Sequence, residues 1–231
     1  MIFLSGCSKD HLFDAFKSAG PDASITRKTE SFTQIRVGEK FDVLLVQDTI
    51  EKVIITAGEH IVNGFSSEVK DGKLIVKNGN KANWVRHLKV RHKVEIHFIK
   101  IDKIEIEGAA HFTNKDTIVL PVLDIQHNGV EDAEFNIRIN NFTCSGKKTG
   151  GIKLNGSAII FSCSFEELSY FNGRDLYISD GYLTNYSVTP SYIYAEKKLE
   201  LMNYGSGNIY YLNQPVSFDS KIFGTGQIIK E

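Results

Sequence analysis

Counting nineteen residues at a time from Ile104 reaches Leu123, Phe142, Phe161, Asp180, Leu199 and Phe218, and six of those seven positions are apolar. The same step two residues on gives Ile106, Ile125, Cys144, Cys163, Tyr182, Leu201 and Ser220, again six of seven. Between the two columns lie Glu105, Asp124, Thr143, Ser162, Gly181, Glu200 and Asp219, none of them apolar. With 42% hydrophobic residues in the chain, about six of fourteen positions would be apolar by chance, and twelve are, so the alternation is a structural instruction. Alternation at period two is the mark of a strand with one buried face. Recurrence at a fixed longer period is the mark of a repeat architecture.

Two further columns run in parallel. One reads Ala133/Phe135, Ile152/Leu154, Pro190/Tyr192 and Ile209/Tyr211; the other begins Ile118/Leu120 and Ile137/Ile139, fades near Gly156 and slips by a residue around Leu176/Ile178. The slip and the polar Asp180 read as a bulge or irregular turn. Three short strands per nineteen-residue coil describe a parallel β-helix, in which each coil buries its inward residues against the coils above and below. Stacking in register places Cys144 over Cys163 at about one strand spacing, within disulfide reach. Parallel in-register neighbours rarely offer an unstrained bridge, so a pair of buried thiols is the expectation beside that alternative.

Upstream, FTQIRV, FDVLLVQ, KVIITA, GFSSEV and KLIVK read as strands, and Asp71-Gly72 as a hairpin turn. No segment here sustains a helical period. The expected organisation is an all-β chain, with a less regular β-rich module over 29–100 continuous with a solenoid over 101–231. Residues 8–28 read as a tether with a short amphipathic piece at Leu12, Phe13 and Phe16 before Gly20-Pro21.

The first residues point to location. Leu4-Ser5-Gly6-Cys7 matches a lipobox, in which small residues precede a cysteine that becomes acylated, so residues 1–7 read as the remnant of a lipoprotein signal and Cys7 as the lipid site. Charge supports no grip on nucleic acid, since 27 basic residues face 28 acidic ones. No apolar run approaches the roughly 18 residues that a membrane-spanning helix needs.

All nine tyrosines fall between Tyr170 and Tyr211. Tyr182, Tyr192 and Tyr211 sit in inward columns and read as core. Tyr186, Tyr204 and Tyr210 fall outside them, near Asn203 and Asn208, and these five residues form the candidate ligand surface, for a sugar ring or equally for a protein. The one basic run, Trp84 to Lys93, reads as a connecting strand. A polysaccharide-acting enzyme would need clustered carboxylates beside a base. The carboxylates Glu105, Asp124 and Asp175, with Arg138 and Arg174, are scattered over coils, and no metal spacing appears among the histidines, so no catalytic or metal-binding residue and no cofactor is expected.

The carboxy-terminal stretch Leu199 to Tyr211, with Gly205-Ser206-Gly207, then Gln214-Pro215 and Phe223-Gly224-Thr225-Gly226, resembles the closing signature of the head GIN domain family of autotransporter adhesin-like proteins. Phe32, Ile35 to Val37, Phe41 to Gln47, Val53 to Ala57 and Val69 to Val76 follow the family's order, so the resemblance covers about residues 26–231. It implies a right-handed β-helix on an outer-membrane-anchored envelope lipoprotein, with its periplasmic or surface side undetermined, and no catalytic residues to carry over. The expected role is a non-catalytic binding, adhesion or assembly module for a glycan or envelope protein, held to the membrane through acylated Cys7. The alternative is a polysaccharide lyase or glycosidase on the same scaffold.

Overall fold

A computed structural model describes residues 19–80 and 91–231, and among these the only helical element is a single 3-10 turn at Val62–Gly64. The rest is a parallel β-solenoid of about seven turns. Its regular part begins with β10 (Ile118–Gly129), β11 (Ala133–Gly146), β12 (Ile152–Phe165) and β13 (Phe171–Asn185), each long enough to turn a corner and serve two faces. It continues as β14 (Ser191–Ile193) with β15 (Ala195–Asn203), β16 (Ile209–Tyr211) with β17 (Ser217–Ile222), and β18 (Ile228–Lys230). All neighbouring pairs in this part are parallel.

The upstream strands are β1 (Asp22–Lys28), β2 (Gln34–Val37), β3 (Phe41–Gln47), β4 (Lys52–Gly58), β5 (Phe65–Lys70), β6 (Lys73–Asn78), β7 (His92–Phe98), β8 (Lys103–Gly108) and β9 (His111–Asn114). They build coils of the same solenoid, but in a different order from the chain. Strand β2 lies between β6 and β8, and β3 between β7 and β9, all parallel. The first coil made is therefore the second in the stack. Above it, β5 folds antiparallel onto β6 through Asp71 and Gly72, both at positive φ as a tight hairpin turn requires, while β4 runs antiparallel to β7 and β1 to β4. These antiparallel strands close that end, and Val53 and Ile55 are fully buried there with Ile25 and Ala23 packed on them.

Several expectations shift. Residues 22–28, read as the end of a tether, form a strand paired with β4 along its length. Residues 1–18, with Cys7, and 81–90, with Trp84, lie outside the described residues. At the end of the basic run Arg91 ties the junction together, pairing with Asp42 at 2.6 Å and Glu131 at 3.1 Å. Ile104 stacks on Ile125 rather than on Leu123, because the connection between those coils carries two extra residues. This places His127 over Ile106. His127 is fully buried and neutral, its Nε2–H donating to Glu131 O at 2.7 Å and its Nδ1 accepting from Gly129 N–H at 3.1 Å. Burial pushes its pKa below the ordinary histidine value.

The slip resolves as a register shift opposite Lys153/Asn155, which gives β13 one extra residue. Phe161 and Cys163 consequently stack on Gly181 and Leu183, and Asp180 and Tyr182 turn outward. Tyr182, expected in the core, is half-exposed with Lys198 Nζ 5.1 Å from its ring centre. The neighbouring column moves with it: Ser191 and Ile193 point inward in place of Pro190 and Tyr192. Tyr211 remains part of the core margin, stacked on Phe218 at 4.8 Å. Cys144 and Cys163 are register neighbours, both buried and both free thiols. Burial and the contact with Cys144 push the Cys163 thiol well above its ordinary pKa, which leaves it unreactive.

A folded stack of phenylalanines occupies the centre. Phe142, Phe161 and Phe171 lie with ring centres 5.6 and 4.8 Å apart, and Phe165 packs 6.0 Å from Phe171.

Candidate functional site

The corner after β13 and β15 is made by two inward asparagines. Asn185 Oδ1 accepts from Ser187 N–H and Asn203 Oδ1 from Gly205 N–H, each at 3.2 Å, the local bond by which an asparagine bends the chain two residues on. Both side-chain amides donate to Gly207 O, at 3.1 and 2.9 Å, and Asn185 Nδ2 also donates to Asn203 Oδ1 at 3.0 Å. The two side chains are fully buried and hydrogen-bonded to each other and to the turns. Asn203, expected to face a ligand, is therefore a piece of the core; its polarity serves the backbone.

The bend sends the next residue outward on each coil. Tyr186 follows Asn185, Tyr204 follows Asn203, and Phe223 follows Ile222, the register neighbour of Asn203. Because the turns stack at one strand spacing, the three rings form a column: Tyr186 and Tyr204 are 4.9 Å apart at 13°, Tyr204 and Phe223 4.5 Å apart at 8°. Their exposures are 49%, 41% and 58%. The glycines of the closing signature permit that spacing. A Cβ on Gly207 would lie 2.3 Å from Thr189 O, and one on Gly226 2.2 Å from Gly207 O. The same turns expose Leu168 and Val188, successive in the stack through the Val188 N–H to Glu167 O bond. The result is an apolar ridge of five side chains at one corner of the solenoid. Lys147 and Glu166, paired at 3.2 Å, continue the corner on the coils before it.

Tyr210 belongs elsewhere. It sits on β16, stacked on Tyr192 at 5.0 Å and 14°, with Arg174 3.8 Å over the Tyr192 ring and Asn208 Nδ2 donating to its hydroxyl at 3.2 Å. Asn208 Oδ1 accepts from Gln227 N–H, so that amide also serves a turn. Of the five expected site residues, Tyr186 and Tyr204 are brought together, Tyr210 and Asn208 form a second column, and Asn203 is internal. Phe223, Leu168 and Val188 were missed. The steps of 18 and 19 from Tyr186 to Tyr204 to Phe223 were the signal for the first of these.

Stacking also sets which parts of the rings face solvent. Both faces of Tyr204 are covered by its neighbours, so the column presents ring edges and hydroxyls to solvent. A sugar ring stacks through its C–H groups on an open aromatic face, and of the three rings only Phe223 and Tyr186, at the ends, have one face not covered by another. A row of edges with two flanking aliphatic side chains is surface of the kind found in protein interfaces.

Several of the groups an enzyme would use are engaged. Burial opposes ionisation of Glu105, but Lys73 at 2.8 Å and Lys103 at 3.4 Å outweigh it and hold its pKa below the ordinary carboxyl value. A general acid needs the opposite shift. Asp124 accepts from the Thr143 hydroxyl at 2.8 Å, and Arg174 pairs with Glu231 at 2.9 Å. His97 has Asp48 at 2.7 Å on Nδ1 and Glu95 at 2.5 Å on Nε2, so neither nitrogen is open to a substrate proton. Among the described residues, no group of three or more His, Cys, Asp or Glu side chains is placed to hold a metal. No helix among them is long and apolar enough to cross a membrane.

The model of the family described as "Putative auto-transporter adhesin, head GIN domain" matches residues 31–215. Among solved structures, a "putative adhesin" from Bacteroides fragilis NCTC 9343 is similar at a TM-score of 0.85 and 20% identity, covering 91% of this chain and 97% of its own. A second "putative adhesin", from Parabacteroides distasonis ATCC 8503, gives 0.74 and 17%, covering 92% and 98%. A "Putative lipid binding protein" from the same organism gives 0.72 and 18%, covering 92% and 97%. No curated protein matches the sequence. At these identities the structures share the fold.

Proposed function

The chain belongs to the head GIN domain family, and on that premise we propose that it is a non-catalytic, adhesin-like module of the cell envelope that holds a protein partner on the ridge of Tyr186, Tyr204, Phe223, Leu168 and Val188. One observation carries the choice of partner: five exposed apolar side chains are gathered at a single corner with the aromatic rings edge-on. Contiguous apolar surface of this kind marks interaction sites, and aromatic residues are enriched at protein interfaces. The side chains of Tyr186, Tyr204 and Phe223 point out of the solenoid and are exposed, so they can be changed without opening a cavity in the core.

The test is binding of the purified chain to immobilised extracellular and envelope proteins printed beside a glycan array. The Tyr186→Ser, Tyr204→Ser, Phe223→Ser triple variant is expected to fold and to lose at least about tenfold in affinity for the bound protein, as hot-spot aromatics do. Binding confined to glycans, or protein binding unchanged in the variant, overturns the reading.

Anchoring through an acylated Cys7 completes this reading, since several acyl chains give the stable attachment that one does not. Metabolic labelling with a fatty acid in an expressing Gram-negative host, with the chain fused behind a lipoprotein signal peptide ahead of Leu4, is expected to mark the native chain and not Cys7→Ala. The variant should leave the membrane fraction. Equal membrane retention of both forms would rule the anchor out.

A further inference from the structure

The two ends of the solenoid differ. One is closed by the antiparallel strands β1, β4 and β5, and its last inward residues are buried. At the other end β17 has β15 as its one partner among the described residues, and its second edge is open. Its inward positions show the consequence. Leu201 and Asn203 are 1% and 0% exposed, whereas Ser220 and Ile222, one coil further on the same ladder, are exposed, Ile222 at 53%. A repeat stack needs a polar cap to leave its last core layer in water, and an open edge carrying apolar side chains is a template for another strand.

The sequence of β17 fits one occupant. Paired antiparallel with a copy of itself about Ser220, it sets Phe218 against Ile222 of the second copy on the inward side, and Asp219 against Lys221 on the outward side, each twice by symmetry. Asp219 and Lys221 are exposed and form no ion pair among the described residues, although Glu200 stacks beside Asp219. We propose that this edge is a two-fold interface between two copies of the chain, joined by antiparallel pairing of β17. A two-fold contact must be self-complementary, and this strand is so in both its apolar and its charged positions. The pairing sets Phe223 opposite Ser217 of the second copy and covers that ring's outer face, but it leaves the edges of the Tyr186 and Tyr204 rings at the corner, and charge variants at Asp219 and Lys221 change no ridge residue.

The experiment is sedimentation of the full chain through a dilution series. The native chain is expected at the mass of two chains when concentrated. Lys221→Asp alone, or Asp219→Lys alone, turns two attractive cross-strand pairs into two repulsive ones and should weaken association by roughly tenfold or more. An equimolar mixture of the two single variants restores both attractions and should associate again as a heterodimer, which also shows that each variant is folded. A native chain monomeric throughout, single variants that associate as the native chain does, or a mixture that stays monomeric overturns the proposal.

Discussion

Phe161→Ala is expected to lower the stability of the chain by about 3–5 kcal/mol, read as an earlier midpoint in chemical denaturation. The residue is fully buried in the middle of the solenoid, stacked on Phe142 with planes 1° apart and on Phe171 at 4.8 Å. Removing it costs the transfer of its ring from water together with the cavity it leaves. The cavity cannot collapse easily, because Phe161 lies in a stretch where β11, β12 and β13 are paired without a break on both sides, past the register shift near Lys153. Phe161→Leu keeps part of the volume and should recover much of the loss. In a stack whose layers touch only their neighbours, a broken central layer uncouples the two halves. Hydrogen exchange should therefore show the carboxy-terminal coils opening before the amino-terminal ones. A midpoint shift below about 1 kcal/mol would contradict the packing described.

How much of this was legible depends on what each residue type reveals. The apolar columns at Phe142, Phe161 and Cys144, Cys163 are visible because every position in them prefers the interior and the spacing is constant there. The false assignments arise where the spacing changes by one or two residues and the displaced residue is acceptable in either place. Tyr182 could be an inward ring or an amphipathic outward one, and the slip at Leu176/Ile178 and Asp180 beside it were the signs of the extra residue in β13. Ile104 matched Leu123 by period, while a connection two residues longer matched it to Ile125. The placement of β2 between β6 and β8 was not legible at all, since parallel edges of similar apolar strands do not state which neighbour they will find. At the site, Tyr186 and Tyr204 were separated from the core by their alternation. Asn203 was misread because a polar side chain was taken for a surface one, when at a solenoid corner its hydrogen bonds replace those of the backbone.

That misreading leads to a second large effect. Asn203→Leu is expected to open the last coils, lowering the protection of residues from β15 onward by several kcal/mol in hydrogen exchange while the coils before β12 remain protected. The leucine fills the space but removes one of the two acceptors of Gly205 N–H, which keeps Asn185 O at 3.0 Å, takes one of two amide donors from Gly207 O and strips Asn185 Nδ2 of one of its three acceptors. Each of the three buried hydrogen bonds so lost costs about 0.5–1.5 kcal/mol. None of these groups can turn to water, because the turns beneath Gly205 and Gly224 lie against one another through the Gly224 N–H to Asn203 O and Gly226 N–H to Gly205 O bonds. The same variant separates the structural asparagine from the ridge above it. Partner binding should fall with Asn203→Leu only in proportion to the open fraction of these coils, whereas the ridge variant loses binding with protection unchanged. Loss of binding in a fully protected Asn203→Leu chain would return that asparagine to the site.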